Sequence, residues 1–263
     1  MRTAFLIAGF ALVALIAAAI RYMPDWFAEA EESPPAVVAE RMADPETQSE
    51  PLLPPPAEMI VPPPEPEIEL PALDSSDAFV MERVSGFGFP DSWLDRDDLI
   101  RRLAVVIDNA AQGGYPSRQL GFLAPTGRFQ IIERGDRLFI DPVSYERYDI
   151  YLDILERIDP QTLANNLLLF EPLVATGLRE LGNQQPMVTQ IHVAISRITR
   201  LPLLAEEVEL VQPAVFYHYA DPQLEALSSL QKQVLRMGPH NVHRLQNYLR
   251  ALQIAIAVND AAE

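Results

Sequence analysis

Six stretches between residues 91 and 256 carry apolar side chains at three- and four-residue spacing, the pattern of helices with one buried face. In the first, opened by Asp91 or Ser92 and ended by Gly113-Gly114, Leu99, Ile100, Leu103, Val106 and Ile107 share a stripe. Asp141-Pro142 opens the second, with Tyr148, Tyr151, Leu152, Leu155 and Ile158 on one side. Asp159-Pro160 opens the third, with Leu163, Leu167, Phe170, Val174, Leu178 and Leu181, a kink at Pro172 and a stop at Gly182. Pro186 begins the fourth, with Val188, Ile191, Ile195, Ile198 and Leu201 facing inward. Val242, Leu245, Leu249, Leu252 and Ile256 mark the last. A shorter helix is capped by Asp74-Ser75-Ser76-Asp77 and runs through Val84 to a break at Ser85–Pro90.

The fifth stretch, within Tyr217–Asn241, is the most fully punctuated. Asp221 suits an N-cap and Pro222 the first helical position. Leu224, Leu227, Leu230, Val234 and Leu235 fall on one face, Gly238 takes a left-handed cap and Pro239 blocks continuation. These signals predict a single four-turn helix. Two segments read as extended. Arg128–Ile132 and Arg137–Asp141 flank Glu133-Arg134-Gly135-Asp136 and predict a hairpin, so its Arg-Gly-Asp triplet is read as turn chemistry, not an adhesion motif. Glu206–Val211 reads as an edge strand or strap. No repeat of 20–50 residues is present.

The N-terminal third follows other rules. Thr3–Ile20 is an 18-residue run without a charge, bracketed by Arg2 and Arg21. At roughly 27 Å of helix it matches a bilayer core. A cleaved signal peptide is the rival, since Ala17-Ala18-Ala19 offers small residues, but the run exceeds an ordinary signal core and lacks a polar cleavage region. Ala4, Ala8, Ala11 and Ala18 lie partly on one face and allow close helix pairing, as an alanine-rich helix does by composition alone. Residues 25–71 hold 12 prolines, 12 acidic residues and one basic residue, Arg41. They predict an unpacked polyproline-rich tether, averaging about 40 Å as a coil and reaching about 140 Å when extended. The formal net charge is −17, of which residues 72–263 carry only −8. That balance disfavours nucleic acid and anionic lipid as long-range partners. With no cysteine there is no disulfide framework, thiolate site or cysteine nucleophile.

Chemistry-bearing residues gather in 217–243. Tyr217, His218, Asp221, Glu225, Lys232, Arg236 and His240 form the candidate ligand-binding set. Lys232 is the sole lysine beside 19 arginines, which suggests that a compact ammonium is wanted there, facing either an internal carboxylate or a bound anion. Compensation of the helix dipole is the plainer role for Lys232 and Arg236. His240 and His243 stand i, i+3 with His218 or Glu225 as a third ligand, yet HExxH is absent and no metal or cofactor is assigned. The Tyr145, Tyr148, Tyr151 stripe, with Arg147 among it, reads as core. There is no G-x-S-x-G elbow, P-loop or dinucleotide fingerprint, so no catalytic residue is named.

Five phrases together resemble the bacterial domain-of-unknown-function family 3014: LPALDSSDAFV (70–80), IRRLAVVIDNAAQG (100–113), PVSYERYDIYLDILERID (142–159), EPLVATGLRELG (171–182) and YHYADPQLEALSSLQKQVLRMGP (217–239). The resemblance runs from about Leu70 to Leu252, and the order of membrane helix, proline-rich tether and C-terminal domain fits it. It implies no activity, because that family has no assigned catalytic residues. The expected fold is mainly α: a single-pass anchor (1–24), a disordered acidic linker (25–71), a domain of about six helices with one small hairpin (72–258) and a short tail (259–263). The expected function is that of an inner-membrane envelope protein whose C-terminal domain, in the periplasm, acts as an interaction or scaffold module. Its expected partners are the bilayer, through Thr3–Ile20, and an envelope protein or cell-wall component. Two alternatives stand beside it: a small-ligand or anion-binding sensor or enzyme using 217–243, and a scaffold of inverted orientation.

Overall fold

The computed structural model of the chain describes residues 68–260 apart from 91, 92, 94 and 95. The anchor run and nearly all of the tether lie outside the described residues. Ten α-helices and a four-stranded antiparallel sheet make up the described part. The helices are α1 (Asp77–Val84), α2 (Leu99–Gln112), α3 (Ser117–Leu120), α4 (Val143–Glu146), α5 (Asp149–Glu156), α6 (Pro160–Glu180), α7 (Met187–Thr199), α8 (Pro222–Glu225), α9 (Ser229–Leu235) and α10 (Gly238–Asp260). The strands are β1 (Ile131–Arg134), β2 (Arg137–Ile140), β3 (Glu209–Val211) and β4 (His218–Tyr219), paired in that order.

Four long helices hold the core, because they are long enough to present several turns of apolar stripe to one another. The helices α2 and α10 each pack on both α6 and α7. Leu103, Leu163, Leu167, Phe170, Leu249 and Leu252 are almost fully buried between them, each such side chain contributing about 2 kcal/mol by its removal from water. At the crossing of α2 and α6, Gly177 stands where an added Cβ would lie 3.0 Å from Ala104 Cβ. That pair of small residues lets the two backbones approach. The tyrosine stripe is core, with Tyr145, Tyr148 and Tyr151 all buried, and Trp93 stacks on Tyr151 at 5.3 Å between ring centres.

Most predicted helices are present, but several are shorter or divided. The helix expected from Asp91 or Ser92 begins at Leu99, after Asp98 in the left-handed region (φ 58°). Its first N–H groups are satisfied from another helix: Asp77 accepts from the Asp98 and Leu99 amides, both at 2.8 Å. The helix expected after Asp141-Pro142 is split into α4 and α5. At the break the bond tightens to Tyr148 N–H on Tyr145 C=O (3.0 Å), while the Ser144 hydroxyl is engaged by Gln130. The largest correction concerns the expected four-turn helix after Asp221, which is two helices, α8 and α9. Ser228 caps α9 with a reciprocal Ser–Gln231 box, so the chain restarts where the apolar spacing alone reads straight through. Gly238 does take the left-handed conformation (φ 80°), but Pro239 then lies in the first turn of α10 instead of closing a helix. These two divisions, together with α1 and the short α3, bring the count from about six helices to ten.

The hairpin is real, with a two-residue turn at Gly135-Asp136 and the register Arg134↔Arg137. It is half of a larger sheet. The strand expected at the edge, β3, is interior: it pairs with β2 on one side and with β4 on the other. The two residues His218–Tyr219, just ahead of the Asp221 cap, supply that outer strand.

Candidate functional site

The candidate set surrounds one carboxylate. Tyr219 in β4 donates its backbone N–H to Glu225 Oε2 at 2.9 Å, and the Lys232 ammonium donates to Glu225 Oε1 at 2.9 Å and to the Glu225 carbonyl at 2.8 Å. His218 Nδ1 stands 3.3 Å from the same Oε1. The Tyr219 hydroxyl closes the circuit on the Lys232 carbonyl at 3.4 Å. Each partner is placed by local structure: β4 by its pairing to β3, Glu225 by the single turn of α8 that Asp221 caps, and Lys232 by the boxed start of α9. Lys232 keeps only 7% of its surface, so its nitrogen exchanges water for protein oxygens.

The electrostatics follow from burial and pairing. Burial opposes the charged form of Glu225, but hydrogen bonds from Lys232, the Tyr219 amide and His218 outweigh it and hold the carboxyl below its ordinary value. Burial pushes the Tyr219 phenol up to about 12.

Tyr217, His218, Glu225 and Arg236 also border one small void beside the sheet, about 10 Å³, room for no more than a single water. Tyr217 rests there against Phe129, 5.8 Å between ring centres, and Arg236 donates to Gln233 Oε1 at 3.2 Å. Asp221 and His240 do not join them. Asp221 is exposed and accepts from the Gln223 amide at 2.8 Å, and His240 is exposed on α10. His243 is likewise exposed, beside Asn247. Among the described residues no three His, Cys, Asp or Glu side chains are placed to share a metal ion.

A larger concavity lies elsewhere. An open trough of about 910 Å³ runs along the outer stripe of α7, with Gln231 of α9 and Gln253 of α10 as its far wall. Thr189, His192, Ser196, Arg197 and Arg200 line it on the α7 side, and no acidic residue does. The apolar stripe of α7 marks only its inner face. The signal for the outer one was available in the chain: residues 181–205 and 226–259 contain no aspartate or glutamate in a protein of net charge −17.

The profile of the family described as "Protein of unknown function (DUF3014)" matches residues 99–253, more than half of the chain. The chain belongs to this family. The DUF3014 match takes in the Glu225 cluster and all of the α7 trough. It begins at α2, so α1 and the phrase at 70–80 lie outside it. No curated protein and no solved structure matches the chain.

Proposed function

We propose that this DUF3014 protein is a non-catalytic interaction module of the bacterial envelope. In this reading Thr3–Ile20 anchors it in the inner membrane, the acidic tether sets it off the bilayer, and the helical domain contacts an envelope protein or cell-wall component in the periplasm. The observation that carries the reading is the closure of the Glu225 cluster. The most enzyme-like residues of the sequence are engaged with one another around a void too small for a substrate. A sensor or enzyme at 217–243 would require that ion pair to open first. The anchor itself rests on the uncharged run and its flanking arginines. Among the described residues no helix is long and apolar enough to cross a membrane.

Crosslinking of the full chain in native membranes, with identification of whatever is captured, tests this. The expected result is a reproducible envelope partner crosslinked to the domain in the membrane fraction, with C-terminal fusions active only for a periplasm-dependent reporter. Recovery of the mature chain in the soluble fraction without its first twenty or so residues would overturn the anchored reading. A cytoplasm-active reporter would overturn the orientation.

A further inference from the structure

We infer that the α7 trough is a binding site for a small soluble oxyanion, a phosphate or carboxylate carried on a compact organic molecule. This goes beyond the interaction role and does not depend on it. The trough's volume, about 910 Å³, falls in the range of small-molecule sites. Its chemistry is of one sign. Arg197 and Arg200 supply guanidinium groups, Thr189 and Ser196 hydroxyls, Gln231 and Gln253 amides, and there is no carboxylate to compete for them. Guanidinium is the side chain best shaped for two-point contact with carboxylate or phosphate oxygens.

Arginines near a helix C-terminus ordinarily compensate its dipole. Here the carbonyls that end α7 are already engaged by other side chains. Gln231 donates to the Arg197 carbonyl at 3.3 Å, Gln246 to those of Ile198 and Leu201 at 3.1 and 2.9 Å, and Arg250 to that of Thr199 at 3.4 Å. Arg197 serves the end of a neighbouring helix, its Nε donating to the Ala111 carbonyl in the last turn of α2 at 2.8 Å, and the same bond holds the guanidinium in place before any ligand arrives. The Arg200 side chain has no hydrogen bond or ion pair among the described residues, although 25 acidic residues are available in 72–263. His192, in the same wall, has its Nε2 covered and without a partner among the described residues. A buried unpaired nitrogen is costly, and a hydrogen bond to a ligand held at this wall would relieve that cost.

Titration calorimetry of the full chain in neutral detergent, with inorganic phosphate and with citrate as probes, tests the site. The expected result is saturable binding of at least one probe with a dissociation constant of about 1 mM or tighter. Arg200→Gln is expected to weaken it at least about tenfold, the loss of a charge-assisted contact, and Ser196→Asp to abolish it. Both variants are expected to keep the ligand-free melting temperature, since neither side chain bonds to another element. Arg134→Gln, which removes one positive charge beside the hairpin turn and outside the trough's lining, is the control and is expected to bind normally. No saturable heat with either probe, affinity unchanged in Arg200→Gln and Ser196→Asp, or equal weakening in Arg134→Gln would overturn the inference.

Discussion

Lys232 loses nearly all its water on folding and gains oxygens of Glu225, through both side chain and backbone. Replacing it by Met removes the ammonium and leaves the carboxylate with fewer donors. Glu225 retains about a quarter of its side-chain exposure, so water takes up part of the loss. The expected cost is about 2–3 kcal/mol, below the figure for a fully buried pair. In a double-mutant cycle with Glu225→Gln, measured by denaturant unfolding, a coupling of about 1–2 kcal/mol is expected. The pH dependence carries the matching sign. Because the folded carboxyl titrates below its ordinary value near 4.5, its contribution is complete above that value and is lost as pH falls through the lower, folded one. Glu225→Gln is therefore expected to flatten the acid limb of stability below about pH 5 and leave neutral behaviour to the lost pairing alone. Glu180 and Glu209, also held low by Arg101 and Arg137, keep the rest of that limb in place.

The ends of elements show what the sequence could and could not convey. Asp159 was readable as a cap because its partner is local: it accepts from the Thr162 amide at 2.9 Å. The cap of α2 was not, because Asp77 lies 21 and 22 residues from the amides it receives, and only tertiary packing brings them together. Asp77→Ala is expected to cost about 1–2 kcal/mol by thermal or denaturant unfolding, with Asp77→Asn recovering part of it. A cost near zero would mean that α2 starts equally well without it. Between these cases stands Ser228. Its Ser-x-x-Gln box is local and legible, but a continuous leucine stripe from 224 to 235 outvotes it when periodicity is read first. The hairpin was visible through Gly135, whereas β3 and β4 are three and two residues long, too short for alternation to register. The sequence leaves an internal carboxylate as one of two partners for Lys232, and Glu225 is that carboxylate. In the structure the break between α8 and α9 turns the two side chains toward each other.

For the molecule as a whole, charge is distributed by region. Acidic residues concentrate in the tether, while two acid-free segments fold into neighbouring helices and leave a cationic trough on an otherwise negative domain. The Glu225 cluster joins the sheet to this bundle, and α9 is bound to the end of α2 through the Leu230 amide on the Gly113 carbonyl, 3.1 Å. Elements that serve a ligand are usually drawn from the less stable parts of a fold, and elements that hold it together open only when everything does. Native-state hydrogen exchange separates the two cases most directly. The amides of Tyr219 and Leu230 are expected to exchange with the same free energy as those of Leu249 and Leu252 in α10. Exchange of Tyr219 and Leu230 through a local opening several kcal/mol cheaper than global unfolding would contradict the account and return the 217–243 cluster to the role of a working site.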